Sequence, residues 1–275
     1  MVDLEPVTWW RGWGMTREGS RIVVTGVSSG IGAAAATLLA AEGATVLGVD
    51  RTTPSQEPNG CFVPCDVGDP DSLDECVRQL PESIHGLANV AGLPGTADAA
   101  AIGRVNFLGL RYLTELLHPR ITQGGSVVHV ASIAGAGWPG HLEQLTELIA
   151  TPDFESGLTW WSESGPRTGP EAYAFSKEAV IYYAKARARA AWSAGYRVNT
   201  VSPGATVTPI LRDFSEYMPI GWSEKTLGRH ATPEDIAAVL GFLMGTRSAF
   251  VNGVDLAVDG GLMAGLLTGS VPAPS

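Results

Sequence analysis

A run of β-branched residues, Arg21–Thr25, passes directly into Thr25-Gly26-Val27-Ser28-Ser29-Gly30-Ile31-Gly32, and that turn opens an alanine-rich stretch of helical length over residues 31–42. Glycines at this spacing, between a strand and a helix, permit a tight turn and let a bound group approach the backbone. The helix start then offers free N–H groups and the positive end of its dipole, which suits a pyrophosphate. Glycines are common in loops, so the strand–turn–helix setting gives this pattern its weight. It predicts a dinucleotide cradle drawing on Gly26, Ser28, Ser29, Gly30, Ile31 and Gly32.

The same alternation continues. Residues 45–49, 61–64, 87–90, 126–131, 196–201 and 254–258 read as strands, and residues 103–122, 170–194 and 233–244 as helices. Strands alternating with helices predict an α/β fold, a doubly wound parallel sheet of Rossmann-like type. A chain of 275 residues buries roughly 75% of its unfolded surface, so it needs no staples. We expect an N-terminal arm over residues 1–20 and a single domain over residues 21–275 that ends in a surface tail from residue 262. Residues 138–168 break the rhythm, because such connections usually take only a few residues. They read as a helical insertion with a short helix at 141–150, leading to Trp160 and Trp161.

Composition excludes several classes. The formal net charge is −10 with lysine only at 177, 185 and 225, which leaves no basic stripe for nucleic acid or anionic membrane. No apolar run reaches the length of a membrane span. Cys61, Cys65 and Cys76 lack the partners of a metal site, so no metal is expected; they read as free thiols of a cytoplasmic protein.

Asp50 ends the second strand, 24 residues after Gly26. A carboxylate there accepts from ribose hydroxyls and repels a 2′-phosphate, which predicts NAD rather than NADP. Arg51 is the one neighbour able to hold that phosphate. Asp66 and Val67, after the third strand, are placed to face the adenine, although a plain loop aspartate competes with that reading. Tyr173 and Lys177 stand at i and i+4 near the start of a long helix, so phenol and ammonium share a face. With six tyrosines and three lysines, about 0.07 such pairs arise by chance. A neighbouring cation lowers a phenol toward neutrality, as a proton donor to a carbonyl requires. Ser132 ends a strand at the carboxyl edge, where open α/β sheets bind ligands. Asn106 lies early in the preceding helix, where a buried amide could hold a water linked to Lys177.

Together these residues resemble the short-chain dehydrogenase/reductase family along roughly residues 20–261. The resemblance rests on residues 25–32, Asn89-Val90-Ala91-Gly92, Asn106, Ser132, Tyr173 with Lys177, and Pro203-Gly204 with Thr208. It implies an Asn106–Ser132–Tyr173–Lys177 tetrad, with Lys177 on the nicotinamide ribose. It further implies cofactor contacts from Asn89, Ala91 and Gly92, and carboxamide contacts from Pro203, Gly204, Thr206 and Thr208. Val90 departs from the family's second asparagine. Ser132 and Tyr173 lie 41 residues apart where the family spacing is about 13. That insertion, with residues 199–209, is similar to the 3α-hydroxysteroid dehydrogenase/carbonyl reductase subgroup.

The expectation is an NAD-dependent oxidoreductase interconverting a secondary alcohol and a ketone, on a bulky apolar substrate such as a hydroxysteroid. Ile210, Leu211, Phe214, Tyr217, Met218, Ile220 and Trp222 would cover the site, unless they pack on the protein itself. Three alternatives stand beside this reading: a carbonyl reductase of non-steroid substrates, a redox-inactive dinucleotide sensor, and a sugar-nucleotide epimerase. The sensor is expected to lack the tyrosine, and the epimerase to need a larger C-terminal domain. The resemblance also implies a homo-oligomer, dimer or tetramer, with the insertion covering or rebuilding one subunit contact.

Overall fold

The computed structural model describes residues 17–214 and 227–271. In chain order it contains β1 (Arg21–Thr25), α1 (Gly30–Ala41), β2 (Thr45–Asp50), β3 (Cys61–Pro64), α2 (Pro70–Gln79), β4 (Ile84–Asn89) and α3 (Ala99–Ile102). A π-helical turn (Gly103–Gly109) leads into α4 (Leu110–Leu117) and β5 (Ile121–Val130). A 3-10 leg (Ile133–His141) then precedes α5 (Leu142–Ala150), α6 (Phe154–Ser164), α7 (Gly169–Ser193) and β6 (Arg197–Pro203). The chain continues with α8 (Pro209–Phe214), α9 (Pro233–Met244), β7 (Asp255–Val258) and α10 (Leu262–Thr268).

The seven strands form one sheet in the order β3-β2-β1-β4-β5-β6-β7. Every pair is parallel. Strand alternation splits the core in two. Val23, Leu47, Val49, Val127 and Val198 face α2, α4 and α7, whereas Ile22, Val24, Val46, Val128 and Val201 face α1 and α9. Both faces are covered, as a parallel sheet requires.

The doubly wound parallel sheet expected from sequence is the fold found, with differences at particular elements. α2 carries its own signal: Pro70 in the first turn, and Leu73, Cys76 and Val77 at helical spacing on the buried face. The helix expected over 103–122 ends at Leu117, and Ile121 already belongs to β5. The insertion holds two helices rather than one, and the second begins where the Asp153 carboxylate caps Ser156 N at 2.7 Å. Arg17 and Ser20, expected in an arm, are part of the fold. Arg17 donates to the Gly241 and Met244 carbonyls at the end of α9, and Ser20 is buried. The tail expected on the surface instead folds as α10, whose start is held by Asp259: its carboxylate accepts from Gly261 N at 2.9 Å and Met263 N at 2.8 Å.

The insertion packs within the chain. Leu145, Leu148, Phe154 and Trp161 are buried with Ile102 of α3, Phe107 and Leu108 of the π-helical turn, and Phe175 and Ala179 of α7. Trp161 Nε1 donates to Ala99 O at 3.0 Å, and its ring fills the space that a side chain at Gly103 would need. Among the described residues no helix is long and apolar enough to cross a membrane, and no group of three or more His, Cys, Asp or Glu could hold a metal.

Candidate active site

A cleft of about 640 Å³ runs along the carboxyl edge of the sheet. It gathers Gly26, Ser28, Ser29, Gly30, Ile31 and Gly32 of the first turn, and Asp50 and Arg51 at the end of β2. It also gathers Asp66 and Val67, Ala91 and Gly92, Ser132, Tyr173 and Lys177, and Pro203, Gly204, Thr206 and Thr208.

The first turn is built for close approach. Gly26 has φ 75°, and a Cβ there would lie 2.9 Å from Ala91 N. Thr25 Oγ1 accepts from Val90 N at 2.9 Å and Ala91 N at 3.1 Å, which ties the end of β4 to the turn. Asp50 is held from two sides. Its Oδ2 accepts from Ser28 N (3.0 Å) and Ser28 Oγ (2.7 Å), and its Oδ1 from Thr52 N (3.0 Å). Asp66 Oδ1 accepts from Gly68 N at 2.8 Å. A glycine cradle at a helix start beside a fixed carboxylate fits a dinucleotide: backbone N–H groups for its phosphates, an acceptor for its ribose.

At the other end, Ser132 caps the 3-10 leg, its Oγ accepting from Ala134 N at 3.2 Å, and is also hydrogen-bonded to the Tyr173 phenol. Lys177 is buried, with Nζ donating to Val130 O at 3.0 Å and lying 5.7 Å from the centre of the Tyr173 ring. Burial pulls this ammonium down to about 8. The sequence predicted a phenol lowered by Lys177. Here burial dominates and raises the Tyr173 phenol, with the Ser132 hydrogen bond pulling the other way.

Two expected residues do not line the cleft. Asn89 turns into the protein interior, where its Nδ2 bonds Thr114 Oγ1 and His129 Nδ1, both at 3.0 Å. Its side chain therefore ties β4 to α4 and β5 and does not line the cleft; β-strand alternation at the end of β4 points it inward. Asn106 is buried in the π-helical turn. Its Oδ1 accepts from Leu93 N at 2.7 Å, and its Nδ2 donates to Leu93 O at 3.1 Å and Ser176 Oγ at 3.3 Å. Both side-chain N–H donors are committed, so a water link from Asn106 toward Lys177 would use an acceptor, the second lone pair of Oδ1 or the main-chain carbonyl.

Sequence reasoning missed part of the lining. Leu93, Ile133, Leu262, Met263 and Leu266 join Ile210 and Leu211 at the outer end. Leu262, Met263 and Leu266 share a helical face, a spacing readable in the tail. Tyr217, Met218, Ile220 and Trp222 lie outside the described residues, as does the side chain of Phe214.

This fold, with a glycine cradle at one end and a Ser–Tyr–Lys cluster at the other, defines a nicotinamide-dinucleotide-dependent oxidoreductase. Residues 20–142 match the family model described as short chain dehydrogenase, and residues 159–263 match that described as Enoyl-(Acyl carrier protein) reductase. The chain is 42% identical over 250 residues to coniferyl-alcohol dehydrogenase of Pseudomonas sp., covering 88% of this chain and 96% of that protein. It is 29% identical to 3-alpha-hydroxysteroid dehydrogenase/carbonyl reductase of Comamonas testosteroni, covering 89% and 97%. The solved 3-alpha-hydroxysteroid dehydrogenase of Pseudomonas sp. B-0831, complexed with NADH, superposes with a TM-score of 0.75 at 32% identity, covering 91% of this chain and 99% of that one. The chain belongs to the short-chain dehydrogenase/reductase family and is an oxidoreductase acting on alcohols.

Proposed function

We propose that the protein is an NAD-dependent dehydrogenase of bulky, uncharged, apolar alcohols. The observation that carries this is the outer end of the cleft. Leu93, Ile133, Ile210, Leu211, Leu262, Met263 and Leu266 line the same cleft as Ser132, Tyr173 and Lys177, and its acidic lining residues, Asp50 and Asp66, stand at the ends of β2 and β3 beside the glycine turn. Among the described residues the cations lining the cleft are Arg51, next to Asp50, and Lys177, so this outer end holds no second cation to recognise a carboxylate or phosphate. It suits a hydrocarbon body bearing one hydroxyl.

When bound, the dinucleotide supplies a hydride-accepting nicotinamide. Ser132 Oγ holds the substrate oxygen. Tyr173 takes the hydroxyl proton in oxidation and returns it in reduction. Lys177 orients the nicotinamide ribose and favours the phenolate. Asp50 accepts from the adenine-side ribose and opposes a 2′-phosphate. Asn106 holds the Gly92–Leu93 turn beside Lys177: a Cβ on Gly92 would lie 3.3 Å from Asn106 Oδ1 and 3.6 Å from Lys177 Nζ.

The relative named for coniferyl alcohol favours an aryl-substituted alcohol. The hydroxysteroid relatives favour the secondary alcohol and ketone expected from sequence. An apolar wall accepts either carbon skeleton. A spectrophotometric screen of NAD reduction with coniferyl alcohol, hydroxysteroids, small cyclic alcohols and an anionic hydroxy acid tests the reading. Turnover confined to small or anionic substrates overturns it. We further propose a cytoplasmic homo-oligomer, dimer or tetramer, in which the insertion has replaced a subunit contact over the Gly103 and Pro170 helices. Light scattering that shows a monomer at micromolar concentration refutes that.

A further inference from the structure

Glu178 follows Lys177 on α7, yet it belongs to none of the chemistry above. Its side chain is buried, and burial alone pushes its carboxyl up. A buried carboxylate persists only with a dedicated partner. Here the partner is His141, the last residue of the 3-10 leg, whose Nδ1 lies 2.6 Å from Glu178 Oε2. Oε1 of the same carboxylate lies against Gly137 of that leg, where a Cβ would come to 2.8 Å.

The leg begins directly after Ser132 and lies along the backbone of α7. At Gly135 the approach is so close that a Cβ would sit 2.7 Å from Lys177 C, 2.8 Å from Lys177 O and 2.9 Å from Glu178 N. Beyond the leg, the insertion grips the same stretch of α7. Trp160 stacks on Phe175 (5.9 Å between centroids), Trp161 meets it edge-on (5.7 Å), and the His141 ring does the same from the leg side (6.1 Å). Phe175 sits between Tyr173 and Lys177. The segment carrying Ser132 and the helix carrying Tyr173 and Lys177 are thus clamped together at both ends of a short leg.

We propose that Glu178 and His141 are positioning residues: the contact of the half-exposed His141 imidazole with the buried Glu178 carboxylate braces the leg against α7 and so fixes Ser132 relative to Tyr173 and Lys177. The brace explains why an insertion begins at this point without loosening the cluster. Small displacements of reacting groups are costly to turnover but leave cofactor affinity alone. This inference rests on the proposed roles of Ser132, Tyr173 and Lys177.

The test uses the full-length protein. Glu178→Ala is expected to lower kcat for coniferyl alcohol with NAD by about 10- to 100-fold while the KM for NAD stays within about twofold. Glu178→Gln, whose amide oxygen still accepts from His141, is expected to recover most of the loss. His141→Ala removes the partner from its half-exposed side without a new core cavity, and should act in the same direction. Combined with Glu178→Ala it should add little, because one pair is being broken twice. Hydrogen exchange reads the brace without any substrate: amides of residues 133–141 are expected to exchange about tenfold faster in Glu178→Ala than in the wild type. Wild-type exchange across that leg overturns the proposal, as does a wild-type kcat in Glu178→Ala or full additivity of the two alanine variants. If no alcohol is turned over, or Tyr173→Phe stays active, the functional reading fails, and the exchange result still decides the brace.

Discussion

Cofactor choice rests on one carboxylate, and its surroundings say how firmly. Three donors hold Asp50 at the rim of the cleft: Ser28 N, Ser28 Oγ and Thr52 N, at 2.7–3.0 Å. A 2′-phosphate beside it would meet a fixed negative charge. At about 4 Å and an effective dielectric near 20, each unit of like charge costs about 4 kcal/mol before screening by solvent and salt. Swinging Asp50 away instead forfeits hydrogen bonds to a charged acceptor, each worth about 1.5–3 kcal/mol. Arg51 offers a countercharge but is exposed, which limits its return. A preference of at least tenfold for NAD in kcat/KM, about 1.4 kcal/mol, is therefore the floor. Asp50→Asn keeps an oxygen acceptor for the turn and removes the charge, so it should raise the NADP-to-NAD ratio by about tenfold. Asp50→Ala should also raise the ratio while weakening NAD itself, because Ser28 loses its acceptor. Steady-state kinetics with both cofactors on all three proteins provide the assay. Equal or better use of NADP by the wild type refutes the argument, and so does a ratio unmoved by both substitutions.

Tyr173→Phe should reduce turnover below about 1% of wild type with NADH binding, followed by fluorescence, nearly unchanged; Lys177→Ala should damage both. Trp161→Ala empties a buried ring site and strips the hydrogen bond from Ala99 O. It should cost about 3–5 kcal/mol in urea unfolding, and an unshifted midpoint would contradict the packing described above. Burial holds His129 near 3 against an ordinary 6.5. The unfolded chain therefore binds a proton below 6.5 that the folded chain refuses, and stability should fall by up to about 1.4 kcal/mol per pH unit as pH drops through that window. His129→Leu should flatten that slope; an unchanged slope assigns the acid sensitivity elsewhere. Shortening the insertion uncovers Phe107, Leu108 and Phe175, and light scattering should then report a larger assembly than the wild type.

Local order determined what could be read without coordinates. The strand–glycine turn–helix over residues 21–42 needs only neighbouring residues to declare itself, because both the backbone freedom of Gly26 and the helix start are set within a few positions. Tyr173 and Lys177 are one helical turn apart, so their shared face follows from helix pitch. α2 was equally available through Pro70 and the spacing of Leu73, Cys76 and Val77. Direction and depth belong to the tertiary structure. Asn89 sits in a motif-bearing position, but whether its amide meets a cofactor or His129 depends on which way β4 turns it. The apolar tail became a wall of the cleft because Asp259 starts a helix there and the sheet edge beneath gives that helix a surface. The phenol of Tyr173 is raised and the ammonium of Lys177 lowered because burial acts on both, and burial is the sum of everything packed around a group. His141 and Glu178 are 37 residues apart in the chain and 2.6 Å apart in space. No period or propensity links them, since only the close packing of the 3-10 leg on α7 brings an imidazole to a buried carboxylate.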